Sequence, residues 1–366
     1  MNYFIDKASQ IPSYIQLYTQ VREDIIKGIF PYGSKLPSKR VVADEVKVST
    51  VTVEHAYNLL CDEGYIESKE RSGYFVIFCV EDGFYSAAAK STKTVHHTTE
   101  ANYPPSAEFP FSVLAKTMRN VISDYGKVIL ERSDNAGCVE LRDAICGYLA
   151  RSRGICVESE QIVIGAGSEY LYNLIVGLMG RDKVYAIESP SYKKIEQVYS
   201  SAGVQLEKLH LNHDGIDTLA LNGSTANVLH ISPYRSYPSG VTASASKRHE
   251  YLRWADKGNR FIIEDDFESE FSVSSKPEET LFTQAVNENV IYMNSFSKTV
   301  SPSFRVGYMV LPKSLAYEFC NKLGFYSCTV PSYIQFVLAE LISNGDFERH
   351  VNRVRRNKRK ELKNKK

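Results

Sequence analysis

Two patterns place this 366-residue chain in the α/β class, as a small winged helix-turn-helix followed by a large domain with a mixed, mostly parallel sheet between helices. The first is a run of three amphipathic helical segments closed by a short hairpin, within residues 11–77. The second is an alternation of short apolar strands with helical segments over roughly 200 residues. Between them periodicity fails: Ala87-Ala-Ala-Lys-Ser-Thr-Lys-Thr-Val-His-His-Thr-Thr99 is small and polar, as a linker is. The expected parts are a head over 1–78, a linker over 79–105, a large domain over 106–350, and a basic helix or tail over 351–366.

In the head, Tyr14, Leu17, Val21, Ile25 and Ile26 recur at helical spacing and predict the first helix. Gly28-Ile-Phe-Pro-Tyr-Gly33 ends it with turn chemistry. Ser38 is the expected N-cap of a second helix whose Val42, Ala43 and Val46 face inward. After a tight turn at Lys47-Val-Ser49, Ser49 caps a third helix in which Val53, Ala56, Tyr57 and Leu60 form the apolar stripe. Gly64 stops it, and Tyr65-Ile-Glu-Ser68 with Gly73-Tyr-Phe-Val-Ile77 make the hairpin. With the third helix fixed by its stripe, Thr50, Thr52 and His55 near its N-terminal end face a DNA major groove. Ser38, Lys39 and Arg40 stand at a helix N-terminus, where backbone phosphate binds. A helical protein-interaction module fits the same periodicity.

Composition bounds the rest. Hydrophobic residues at 43% and charged residues at 24% describe a globular chain with a core, and no apolar run reaches membrane-spanning length. The N-terminus lacks the apolar region of a signal peptide. Seven cysteines, odd in number and without a C-x-x-C, read as reduced thiols of a cytoplasmic protein. Net charge is +1, but Arg349–Lys366 carries ten Lys/Arg against one Glu, leaving the remainder acidic. Such a run is either the solvated face of a helix or a nucleic-acid contact. His96 and His97 in the linker have no partner at metal-ligand spacing.

In the large domain, Leu114–Ile122 and Leu141–Leu149 read as helices, and Gln161-Ile-Val-Ile-Gly-Ala-Gly-Ser168 runs from a strand through glycines into another. Backbone amides at such a helix start receive phosphate. Lys183–Tyr192 is a strand leading to a proline-containing loop that presents Tyr192, an aromatic able to stack on a heterocycle. Arg260–Asp266 is a buried strand ending in acids, and Asn227–Ser232 and Val290–Ser295 are further strands. Beyond the last lies Ser295-Phe-Ser-Lys298, followed by Arg305. An amine between small hydroxyls, with a guanidinium nearby, is what an aldehyde cofactor bearing a phosphate requires. Asp265 is placed to keep a pyridine nitrogen protonated.

The head closely resembles the DNA-binding domain of GntR-family repressors. Tyr14-x-Gln-Leu-Tyr18, Leu36-Pro-Ser-x-Arg40, Val48-Ser-x-x-Thr-Val-x-x-Ala-Tyr-x-x-Leu60 and Glu63-Gly-Tyr-Ile66 follow in family order. Two positions depart: Thr50 stands where the family usually has Arg, and Lys47 where the turn often has Gly. Residues from about 105 to 350 resemble a fold-type I aminotransferase, specifically the version fused to a GntR head in MocR/GabR-type regulators. Ser133-Asp-Asn-Ala-Gly137, Gly167-Ser168, Pro190-Ser-Tyr192, Tyr237-Pro-Ser-Gly240, Glu264-Asp-Asp266 and Ser297-Lys298 carry that likeness.

The resemblance implies pyridoxal 5′-phosphate (PLP) joined to Lys298, with Asp265 against the ring nitrogen and Tyr192 stacked on the ring. It places the phosphate among Gly167, Ser168, Ser295, Ser297 and Arg305. Lys194 stands where related regulators have an Arg for a substrate carboxylate, and Phe267 where the family commonly has Tyr. The resembling proteins also continue into a small C-terminal domain, so this sequence is expected to lack it. The implied function is a homodimeric transcriptional regulator that binds double-stranded operator DNA. Its effector would be an amine, an amino acid or PLP itself. A PLP-dependent aminotransferase with an accessory head, and a DNA-binding chain without cofactor, are the alternatives.

Overall fold

The computed structural model describes residues 3–6, 9, 11–70, 72–78, 109–258, 260–266, 269–272 and 279–364. The expected linker, with His96 and His97, lies outside them, as does Phe267. The chain divides into two compact units, Met1–Glu100 and Ala101–Lys366.

In the first unit, α1 (Ser13–Ile26), α2 (Lys39–Val46) and α3 (Thr50–Asp62) pack around Leu17, Val21, Ile25, Leu36, Val42, Val53, Tyr57 and Leu60. The two expected caps form: the Ser38 hydroxyl accepts from Val41 N at 3.4 Å and that of Ser49 from Thr52 N at 3.1 Å. Each satisfies one of the amide groups that a helix start leaves without a partner. Lys47, between α2 and α3, has φ +56°, the left-handed conformation that explains why glycine suits this turn. The antiparallel hairpin β1 (Ile66–Lys69) and β2 (Gly73–Val76) closes the core with Ile66 and Val76, and Lys35 adds an isolated bridge to Phe75.

The described residues of the second unit form a sheet of eight strands. They are β3 (Ile162–Gly165), β4 (Val184–Ser189), β5 (Gln205–Asn212), β6 (Gly215–Ile216), β7 (Val228–Ile231), β8 (Phe261–Asp265), β9 (Val290–Ser295) and β10 (Gly307–Val310). Their order across the sheet is β3-β10-β9-β8-β7-β4-β5-β6, and among these described strands β10 and β6 run opposite to the other six. Helices α4 (Phe111–Tyr125), α5 (Val139–Arg153), α6 (Ser168–Met179), α7 (Lys193–Ser201), α8 (Thr218–Gly223), α9 (Ala245–Asp256), α10 (Leu281–Gln284), α11 (Lys313–Leu323), α12 (Ser332–Ser343) and α13 (Asp346–Asn364) complete it.

The sheet is covered on both faces, which is why its strands read as continuous apolar runs. Ile162, Ile164, Tyr292 and Tyr308 pack toward α5 and α12, whereas the alternate residues Val163, Met293 and Met309 pack toward α6 and α11. The helix α13 passes through the boundary expected between 350 and 351. Its Phe347, His350 and Val351 are buried, and Arg355 donates to the Glu270 carbonyl. The basic run therefore belongs to a helix with one packed face. No described helix is long and apolar enough to cross a membrane, and every described cysteine is free of a disulfide.

Candidate functional site

Sheet register builds the site in the second unit. Gly165 at the end of β3 pairs with Gly307 at the start of β10, which pairs with Ser295 at the end of β9. In the next strand along, Asp265 pairs with Met293. One sheet edge, at the carboxyl ends of the parallel strands, thus collects the segments carrying Gly167 and Ser168, Arg305, Ser295 to Lys298, and Asp265. Ligands of open α/β sheets bind at this edge. Glycine is needed there: at Gly167, φ is +89° and an added Cβ would lie 2.7 Å from the Arg305 guanidinium nitrogen Nη2. Arg305 itself stands at φ +51°, directed by the short turn Pro302–Phe304. Lys298 is half-buried in the turn after β9.

Alternation selects one acid of Glu264-Asp-Asp266. Glu264 turns away from the edge and accepts from Leu281 N and Phe282 N, both at 2.9 Å, at the start of α10. Asp266 turns the same way, into a buried pair with Arg153 (3.1 Å) and a hydrogen bond from the Tyr292 hydroxyl (2.7 Å). Asp265 alone faces α6, where the Tyr172 hydroxyl donates to its Oδ2 at 2.6 Å. His230 of β7 lies beside it, Nε2 3.6 Å from the same oxygen, with its Nδ1 2.7 Å from the Tyr199 hydroxyl. Burial, and then the charge of Asp265, hold the Tyr172 phenol well above its ordinary pKa, so it stays a donor.

Glu169, in the first turn of α6, joins two cations. Its Oε2 lies 2.5 Å from Arg305 Nη2 and its Oε1 2.7 Å from Lys194 Nζ. Its burial opposes ionisation, but hydrogen bonds from Lys194 and Arg305 outweigh that and bring its pKa to about 2. Glu188, at the end of β4, is fully buried and accepts from Ser236 Oγ at 2.6 Å and Ser232 N at 3.3 Å. It thereby holds the loop that carries Tyr237, whose ring meets Tyr192 edge to face at a centroid distance of 6.0 Å. Tyr192 is the residue preceding α7.

In the first unit, Thr50 and His55 are exposed on α3 and Arg40 is exposed on α2. Lys39 is tied to Glu54 of α3 at 2.7 Å, and the Thr52 hydroxyl lies 2.8 Å from that of Ser49. His55 packs against Tyr14 with ring centroids 5.8 Å apart.

The model of the gntR family of bacterial regulatory proteins matches residues 13–76, and that of class I and II aminotransferases matches residues 102–365. The HTH-type transcriptional regulator YdeL of Bacillus subtilis (strain 168) is 33% identical over an alignment that covers 98% of this chain and 79% of that protein. The chain belongs to the GntR-type regulators fused to an aminotransferase class I/II domain. The probable rhizopine catabolism regulatory protein MocR of Rhizobium meliloti is 27% identical over 96% of the chain and 76% of its own length. Among solved structures, a kynurenine aminotransferase of Pyrococcus horikoshii has a TM-score of 0.62 at 22% identity, over 76% of this chain and 74% of that one. That likeness concerns the fold.

In this MocR-type regulator, sequence reasoning had overlooked Glu169, Tyr172, His230 and Tyr199. Two of them left a signal. Tyr172 follows Ser168 by four residues, one helical turn, and so shares its face. His230 is a polar residue within the apolar run Val228-Leu-His-Ile231, and its partner in β8 is Ile263, two residues before Asp265 on the same face.

Proposed function

We propose that this MocR-type regulator binds PLP in its aminotransferase-like domain and uses the state of that site to set its occupancy of operator DNA. The register that gathers Gly165, Gly307 and Ser295 into one row, with Asp265 on the next strand, carries the reading. The residues present suit the cofactor. Gly167 leaves room at Arg305 for an anion, Ser168 opens α6 at a helix start whose first amides lack intrahelical acceptors, and Asp265 offers a carboxylate to a ring nitrogen. The buried His230 Nε2, which has no hydrogen-bond partner among the described residues, points to that carboxylate. When bound, PLP supplies an aldehyde that condenses with an amine and a ring that delocalises charge.

The chain's own residues do the rest. Tyr172 orients Asp265 by donating to Oδ2, which directs the carboxylate at the site edge. Tyr192 covers the ring, steadied by Tyr237. Lys298 provides the amine, with Ser295 and Ser297 beside it. Lys194 remains the candidate for an effector carboxylate, and it reaches one only by sharing or leaving Glu169. The second part of the reading is a homodimer in the cytoplasm whose α3 helices enter the major groove with Thr50, Thr52 and His55, while Arg40 holds backbone phosphate.

Incubation with PLP, reduction by borohydride and peptide mapping test the cofactor assignment. The expected product is a single adduct on Lys298, absent from Lys298→Ala. An adduct mapped to another lysine in the unmodified sequence would overturn it.

A further inference from the structure

The cup that the glycine row prepares for a phosphate already contains a carboxylate. Glu169 reaches Arg305 Nη2 at 2.5 Å and Lys194 Nζ at 2.7 Å, so one acid engages both cations. The contact is built by the backbone around it. The absence of a side chain at Gly167 brings Arg305 close, and the Cβ that Gly167 lacks would stand 3.0 Å from Arg305 Cζ and 3.4 Å from Glu169 Oε2. Ser168 and Glu169 open α6, where amides and dipole favour negative charge. Held down to about 2, the Glu169 carboxyl is ionised throughout the physiological range.

From this geometry we infer that Glu169 is an internal competitor for Arg305 and sets the affinity of the site for a phosphorylated ligand. A phosphate ester carries between one and two negative charges near neutral pH. On arrival it finds the guanidinium engaged. Either Glu169 gives up Arg305, and the ion pair is lost, or it stays and two anions share one cation at short range. Both routes cost affinity, and both leave a ligand without phosphate unaffected. A glutamine of the same shape would remove the competing charge and leave Arg305 to the phosphate. The inference rests on the reading that this cup receives the cofactor's phosphate.

Spectroscopic titration of Glu169→Gln and the unsubstituted protein with PLP and with pyridoxal, which lacks the phosphate, tests it. Glu169→Gln should bind PLP about tenfold or more tightly and pyridoxal equally well. Inorganic phosphate is the second probe and is read by the rise it causes in Tm. It should stabilise Glu169→Gln at lower concentration than the unsubstituted protein. Glu169→Ala must move PLP affinity in the same direction, which guards against a folding defect in either variant. Equal PLP affinity in the variants and the unsubstituted protein, or an equal gain for pyridoxal, overturns the role of Glu169. A lost PLP response in all of the proteins, with the phosphate difference intact, leaves Glu169 in its role and discards the cofactor reading.

Discussion

Glu188 shows how one buried acid ties the candidate site to solution conditions. Burial raises its pKa from 4.5 to about 7, although Ser236 and Ser232 donate to it. Between those values the folded protein holds a proton that the unfolded chain has released, so stability falls as pH climbs. Its contribution is complete below about 4.5 and lost as pH rises through about 7. A displacement of that size corresponds to a few kcal/mol, on the order of 3. Glu264, raised by burial to about 8, acts in the same direction. The Tm of the cofactor-free protein should therefore fall between about pH 5 and about pH 8, and Glu188→Gln should flatten part of that fall. A variant with the same Tm profile as the parent would show that Glu188 is ionised at little cost. At this scale the site was half legible. Lys298, Arg305 and Asp265 lie in short motifs whose residue types announce their chemistry. Glu169 and Glu188 acquire meaning only through partners 25 and 48 residues away in sequence, which no local pattern encodes.

The helices of the first unit were read closely because each has a cap at its start or a stripe along its length. Ser38, Ser49 and the row Val53, Ala56, Tyr57 and Leu60 take the places that periodicity assigns them. The strand β10 was not anticipated. It has four residues, all buried, and so short an apolar run carries no period. That strand matters because its antiparallel insertion between β3 and β9 brings Arg305 to the cup. What sequence did not separate was the work of two adjacent cations on α2. Lys39 spends its charge on Glu54, whereas Arg40 is exposed. In duplex binding followed by fluorescence anisotropy over a salt series, Arg40→Ala should weaken affinity and reduce the salt slope by about 1. Lys39→Ala should do less, and Glu54→Gln should strengthen binding by releasing Lys39. Equal slopes for Arg40→Ala and its parent would remove α2 from the DNA interface.

For the whole molecule, a DNA-binding head and a cofactor-type site on one chain raise the question of coupling, which thermodynamics makes measurable. If PLP changes operator affinity by some factor, operator DNA must change PLP affinity by the same factor. Typical couplings are about 5- to 150-fold. They require that PLP have different affinities for the DNA-competent and DNA-incompetent states, since a ligand that binds both equally shifts nothing. A regulator is expected to show equal, non-unit factors in both directions. A transaminase with an accessory head is expected to show none, however tightly it binds PLP and turns over amino acids. The experiment begins by selecting bound duplexes from a random pool, which a homodimer should enrich for two half-sites. DNA titrations with and without PLP then give one factor, and PLP titrations with and without the selected duplex give the other. Glu169→Gln sharpens the comparison, because tighter PLP binding alone must leave the coupling factor unchanged while moving both binding curves to lower PLP concentration. Coupling of unity in both proteins would reject PLP itself as the ligand that sets operator occupancy.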